Sequence, residues 1–364
     1  MTSPPCTRGV EGRLLGPPDR AESPEKRDGG AACPLSLWVG TEAEYAAQRA
    51  RLDPHTLLVV RHGADAKRVQ GPVTIFPPNQ LLEGSPSTEV WLSGGAVQVE
   101  RHGDFECASD GSVLFGSLRR TLGPRLERST EEAFRDLLTL IEDQGYPHLL
   151  RVWNLVPDIN APGATSSGPI ERYQLFNLGR ARAFEARYGA GPAEVRYPAS
   201  TAVGTLGDEL FVWFAAARGA GRQLENRRQQ SAYHYPAIYG PKPPSFSRAT
   251  LLPPEIAELT LVSGTASIVG SESLHRGCVA CQLEETWANL ESILDEASRR
   301  GSRRFDPRGG FGLVKAYVRH PGDQPQIRRW LRARLGESVP VIYLEADICR
   351  SELLLEIEGV ALPS

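Results

Sequence analysis

The sequence predicts an α+β protein built from two tandem repeats, each a mixed sheet with two helices packed on one face. Three observations carry that prediction. Short apolar runs ending in glycine, SVLFG at 112–116 and LTLVSG at 259–264, each precede a polar gap and then an amphipathic helix, at 129–145 and 282–301. Each helix is followed by a strand (149–157 and 311–319) and a second helix (171–189 and 323–336). Each block then closes on a proline-led strand pair, at 197–216 and 339–359. Blocks that match in order and type mark an internal duplication.

Taken in order, residues 1–33 are rich in Pro, Gly, Arg and Glu without apolar periodicity, which predicts a disordered tail. The first repeat is placed at 34–225 and opens with two short strands, LSLWVG and TLLVVRHG, followed by a turn-rich proline segment. Its first helix begins at Ser129 and Thr130 with a carboxylate three residues on, the pattern of a capping box. Residues 226–254 are read as a linker, in which Tyr233, Tyr235, Tyr239 and Arg248 among Pro and Gly predict an ordered loop over a pocket. The second repeat is placed at 255–364. Overlaid on their apolar pattern, the closing strands set Trp213 opposite Glu356, so the first copy lacks the carboxylate that the second carries.

That carboxylate gives the chain its candidate chemistry. Strict alternation in LLLEIEG puts Glu356 and Glu358 together on the face opposite Leu355 and Ile357. A glutamate under apolar cover keeps its proton near neutral pH and can act as a general acid. A solvent-facing strand edge is the other reading of the same pattern.

Composition narrows the classes. A hydrophobic content of 40% and charged content of 23% are those of an ordinary globular protein, and a net charge of -3 without a Lys/Arg block argues against a nucleic-acid partner. Without a membrane-spanning run or an apolar leader, the expectation is a cytoplasmic protein with no membrane partner. The six cysteines are then expected to be reduced, and the single CxxC, Cys278 and Cys281, lacks the second ligand pair of a zinc site. His234 and His275 join no Ser/His/Asp arrangement and are read as structural, and no glycine-rich phosphate loop marks a nucleotide cofactor.

The second repeat resembles the Rid family of small trimeric proteins (chorismate-mutase-like in fold) through Ser263–Gly264, the helix residues Gln282, Thr286, Asn289 and Leu290, and the closing Glu356–Ile357–Glu358. In that family the first Glu of the closing strand, matched here by Glu356, lies in a pocket at an interface between subunits. The arginine that many Rid deaminases carry after Pro-Ala is missing, because Pro340 is followed by Val341. Residues 35–364 are similar to the chorismatases, which carry two such repeats in one chain. The phrases RVWNLVPDIN, RYQLFNLGRARAF, QSAYHYPAIYGPKPPSFSRA, SGTASIVG and EADICRSELLLEIEG carry this resemblance in order.

The resemblance implies a cofactor-independent enzyme that removes pyruvate from chorismate, with one active site in the second repeat roofed by the linker. It assigns Glu356 as the proton donor to the enolpyruvyl methylene. It places Cys349 where a cysteine goes with an aromatic product, 3-hydroxybenzoate, rather than a dihydroxycyclohexadienoate, and Ala266 beside the same pocket. Chorismate carries two carboxylates, for which the planar fork of arginine is suited; Arg172, Arg248, Arg319 and Arg350 are the candidates, with Tyr233 and Tyr239 as pocket walls. The runner-up within the enzyme class is a hydrolytic chorismatase giving the dihydroxycyclohexadienoate and pyruvate; an imine deaminase and a non-catalytic binding protein are the readings from other classes. Two fused repeats can supply an oligomer-like interface internally, which favours a monomer over an oligomer.

Overall fold

The computed structural model describes residues 13–15, 35–64, 71–123, 125–165, 168–189 and 197–363. The first sheet comprises β1 (Arg13–Leu15), β2 (Ser36–Gly40), β3 (Thr56–Arg61), β4 (Thr74–Ile75) and β5 (Thr88–Leu92), in the order β1-β2-β5-β3-β4. Helix α1 (Glu42–Leu52) covers one face of it, started by a capping box between Thr41 and Glu44. The expected tail at 1–33 is therefore corrected at residues 13–15, which pair antiparallel with β2; the rest of it lies outside the described residues.

The second sheet holds β6 (Gln98–His102), β7 (Phe105–Ser109), β8 (Val113–Thr121), β9 (His148–Pro157), β12 (Ala199–Thr205) and β13 (Glu209–Ala217), in the order β12-β9-β13-β8-β7-β6. A short ribbon of β10 (Pro162–Gly163) and β11 (Ile170–Glu171) leads into α3 (Arg172–Tyr188), which packs with α2 (Leu126–Asp143) on one face. Helix α2 starts three residues before the predicted cap, and Ser129 instead accepts a hydrogen bond from the Gly123 N–H at 3.2 Å.

The third sheet holds β14 (Arg222–Leu224), β15 (Ala249–Leu251), β16 (Thr260–Thr265), β19 (Phe311–Val318), β20 (Val341–Glu345) and β21 (Leu355–Ala361), in the order β14-β15-β16-β21-β19-β20. Its helices are α4 (Val279–Arg300) and α5 (Gln324–Leu335), and a ribbon of β17 (Ile268–Val269) and β18 (Glu272–Ser273) precedes α4. Because β14 pairs with β15, the predicted linker is an excursion between two strands of this sheet. Cys278 and Cys281 are joined as a disulfide at the start of α4, which corrects the expectation that all six cysteines are reduced.

The two predicted repeats are present, and the segment at 35–92, assigned with the first of them, forms a sheet of its own. Strands β2-β5-β3-β4, β8-β13-β9-β12 and β16-β21-β19-β20 follow one order, each with the closing strand second. Each also carries a bulge where the closing strand meets its inner neighbour, between Thr56 and Leu58, Ala215 and Ala216, and Phe311 and Leu313. Counting from that bulge matches Glu89, Trp213 and Glu358, and it matches Phe211 with Glu356. Trp213 thus stands at the position of Glu358, two residues from the predicted overlay; a period-2 pattern cannot distinguish a shift of two.

Alternation along the strands divides the core. Trp38 and Val59 face α1, Val212 and Phe214 face α2 and α3, and Leu355 and Ile357 face α4 and α5. The opposite faces of all three sheets, carrying Leu37, Trp91, Trp153, Trp213, Leu313 and Tyr317, share one core. Among the described residues no helix is long and apolar enough to cross a membrane.

Candidate active site

Edge strand β12 of the second sheet is tied to the third by the Ser200 N–H donating to Ser263 Oγ at 2.8 Å and the Gly264 N–H donating to Thr201 Oγ1 at 3.0 Å. A cleft of about 190 Å³ opens beside this seam. Strands β16 and β21 present Gly264 and Glu356 to it, α3 presents Tyr173 and Arg180, and the excursion after β14 covers it with Tyr235, Tyr239 and Phe246. Hydrogen bonds from Gln230 N–H to Gly270 O at 2.8 Å and from Gln229 Nε2 to Ile268 O at 3.1 Å fasten this cover to the ribbon before α4.

Glu356 is 5% exposed, and Glu358 is buried two residues further along the same face. Burial, reinforced by the charge of Glu358, pushes the Glu356 carboxyl up to about 8 against the pull of Arg151 and Arg248. At neutral pH it therefore holds its proton. Gly264 makes room for it, since a Cβ there would stand 1.9 Å from Glu356 Oε1. Glu358 sits in a different environment: Lys315 Nζ, Arg151 NH2 and Trp153 Nε1 each approach it at 2.8 Å. Burial raises its pKa, but Lys315 and Arg151 outweigh burial and hold it below the usual carboxylate range. Adjacent carboxyls driven apart in this way divide into one acid and one fixed anion.

Two buried guanidiniums share the cleft. Arg180, 2% exposed, donates to Asn177 Oδ1 at 3.2 Å and lies over the Phe176 ring; burial brings it down to about 10, where it is still a cation at neutral pH. Arg248, 4% exposed, donates to Tyr235 Oη and Gln230 O, both at 2.8 Å. Among the described residues the Nε of each lacks a hydrogen-bond partner, a donor that an anionic ligand can satisfy. Arg350 stacks on Tyr239 at 3.9 Å and donates to Ser271 O at 2.8 Å.

Of the predicted site residues, Glu356, Cys349, Ala266, Tyr239, Arg248 and Arg350 line the cleft. Burial and the neighbouring Glu356 push the Cys349 thiol up to about 12, so it is a neutral thiol and not a thiolate nucleophile. Three predicted contacts are corrected. Tyr233 packs on Tyr197 at 5.4 Å, outside the cleft lining. Arg172 spends its Nε on Pro157 O at 2.8 Å. Arg319 donates to Leu353 O at 2.7 Å, to Arg350 O at 3.0 Å and to Ile348 O at 3.1 Å, so it organises the loop that carries Cys349. His234 packs edge-on against Tyr233, and His275 approaches Glu285 at 3.2 Å; neither lines the cleft.

Tyr235, expected in the covering loop, also lines the cleft; sequence reasoning missed Arg180 and Tyr173, and it gave Gly264 no part in the cleft. For Arg180 a signal existed: it stands at helical spacing between Phe176 and Phe184, on a stripe that otherwise faces the core. Among the described residues no three His, Cys, Asp or Glu side chains converge as metal ligands.

Comparison with known proteins agrees with this architecture. Residues 89–216 match the family model described as chorismatase FkbO/Hyg5-like, N-terminal. A protein named chorismatase from Streptomyces rapamycinicus is 38% identical over 298 residues, which cover 77% of this chain and 87% of that protein. One named 3-hydroxybenzoate synthase from Streptomyces hygroscopicus is 34% identical, covering 76% of this chain and 82% of that protein. A crystal structure of a chorismatase superposes with a TM-score of 0.82 at 30% identity, covering 92% of this chain and 100% of that chain. By its sequence and by its fold, the chain belongs to the chorismatase family.

Proposed function

We propose that this chain converts chorismate to 3-hydroxybenzoate and pyruvate in the cleft between β12 and β21, with Glu356 as the proton donor. The observation that carries the reading is a protonated, buried carboxyl in the same cleft as two buried arginines. Arg180 and Arg248 suit the two carboxylates of chorismate, and Tyr235, Tyr239 and Phe246 supply apolar walls for its ring.

Glu356 delivers its proton to the terminal methylene of the enolpyruvyl ether, and the ether oxygen then shares the positive charge. The neighbouring ring hydroxyl adds to that cation. Addition gives a cyclic ketal, and loss of the ring C3 proton drives aromatisation: the C4–O bond breaks, and the former C4 oxygen becomes the keto oxygen of pyruvate as the ketal carbon releases the C3 oxygen. The C3 oxygen stays on the ring and takes up a proton as the phenol. Ionised Glu356 lies in position to recover a proton, and the overall change consumes no water. Cys349, a neutral thiol in the lining, narrows the space beside the reacting bond and favours this route over attack by water.

The decisive experiment incubates the purified protein with chorismate and separates the products by chromatography with mass detection. Pyruvate and 3-hydroxybenzoate in equal amounts are expected. A dihydroxycyclohexadienoate in place of the aromatic acid would overturn the assigned product, and absence of pyruvate would overturn the reaction. Glu356→Gln keeps the shape and removes the acid, so it is expected to bind chorismate while losing at least 10²-fold in kcat.

A further inference from the structure

Behind the cleft, in the core shared by the three sheets, lies a buried charge cluster. Lys315 Nζ stands 2.8 Å from Glu358 Oε1 and 3.1 Å from Glu89 Oε1, and all three side chains are at most 3% exposed. Arg151 NH2 approaches Glu358 Oε2 at 2.8 Å, and His62 Nε2 approaches Glu89 Oε1 at 2.6 Å. Burying such a cluster is costly and stabilises little compared with apolar packing, so its place beside the acid has a use beyond the fold. Thr201 links the two. Its hydroxyl donates to Glu358 Oε2 and accepts from Arg151 NH2 at 2.6 Å and from the Gly264 N–H at 3.0 Å. Gly264 is the residue against which the Glu356 carboxyl rests.

We propose that Glu358 is a positioning residue for the proton donor: its carboxylate, paired with Lys315 and Arg151, sets a fixed negative charge beside Glu356 and, through Thr201, holds Gly264 beneath it. The proposal rests on the reading of Glu356 as the acid. The groups facing Glu356 make the effect specific. Arg151 from β9 and Arg248 from the cover are cations that favour losing the proton, and Arg180 from α3 and Arg350 are further cations in the cleft lining. Tyr317 from β19, Tyr173 from α3 and Cys349 are raised by burial and are neutral. Glu171 and Glu352 line the same cleft, but Glu358 is the anion that acts on Glu356 most strongly. Without it, Arg151 and Arg248 would pull on the acid with no anion of comparable effect to oppose them.

The test is the pH profile of kcat with chorismate, whose alkaline limb reports loss of the Glu356 proton. In Glu358→Gln the limb is expected to move to lower pH by about one unit. This variant leaves Lys315 and Arg151 overbalanced, so the double variant Glu358→Gln, Lys315→Met, which removes one charge of each sign, is measured beside it. Melting temperatures separate damage to the fold from the electrostatic effect. A folded variant of either kind with its limb at the wild-type pH would overturn the proposal.

If neither variant folds, carboxyl ¹³C NMR of the wild-type protein decides, with the Glu356 signal assigned from Glu356→Gln. Glu358 is expected to stay ionised throughout the range in which Glu356 titrates. A shared or reversed order of titration would overturn the proposal. This titration needs no turnover, so a wild-type protein that released no pyruvate would count against the proposed reaction alone.

Discussion

A carboxyl that holds its proton up to about 8 is bound to show itself in stability as well as in catalysis. In the unfolded chain Glu356 loses its proton in the ordinary carboxyl range, while in the folded state it keeps it to higher pH. Between those two values the folded state binds the extra proton, so its stability falls as pH rises and levels off above about 8. Each pH unit of that window is worth ~1.4 kcal/mol. Glu356→Gln carries no ionisable group, so its melting temperature is expected to gain on the wild type from pH 5 to pH 8; a constant difference across that range would remove the buried proton. For Cys349 the expected effect is on product. Cys349→Ala opens space beside Glu356 in the lining, and a product mixture shifted toward the dihydroxycyclohexadienoate is expected by chromatography.

Two glycines separate what elements do for the fold from what they do for the site. Gly179 lets α3 touch α2, where a Cβ would stand 2.1 Å from the Glu127 carbonyl oxygen, and Gly264 lets β16 pass under Glu356. Gly179→Ala is expected to lower the melting temperature by forcing two packed helices apart. Gly264→Ala displaces one carboxyl and is expected to lower kcat with a smaller loss of stability, measured by turnover beside thermal melting. The alternation that buries Glu356 and Glu358 was legible in the sequence because period 2 is a local property. Register was not: the bulge that matches Trp213 with Glu358 appears only once the strands are paired. The fates of Arg172, Arg319 and Tyr233 were equally hidden, because Pro157 O, the carbonyls of 348–353 and the Tyr197 ring are brought to them by tertiary contacts. The abbreviated first sheet escaped notice because β4 has two residues and a proline-rich run separates it from β5.

At the scale of the whole molecule, three sheets that repeat one strand order place their closing strands around a common core, and the position matched by the bulge carries Glu89, Trp213 and Glu358. Two carboxylates and one tryptophan at equivalent positions need a cation between them, and Lys315 from β19 meets both carboxylates. Burial works against its charge, but Glu358 and Glu89 more than compensate and hold its pKa above the usual lysine value. Lys315→Met preserves the stem and removes the charge, leaving Glu89 with His62 and Glu358 with Arg151. Breaking one member out of a buried ion cluster typically costs about 3–5 kcal/mol. Glu89 and Glu358 are both held below the ordinary carboxylate range in the native protein, so they contribute stability above the unfolded pKa that is lost as pH falls through the folded values. In Lys315→Met the carboxylates lose that support and protonate more readily. The deficit relative to wild type is therefore expected to be largest near neutral pH and to shrink toward pH 4, measured by denaturant unfolding at both values; a deficit independent of pH would show that the lysine acts by packing alone.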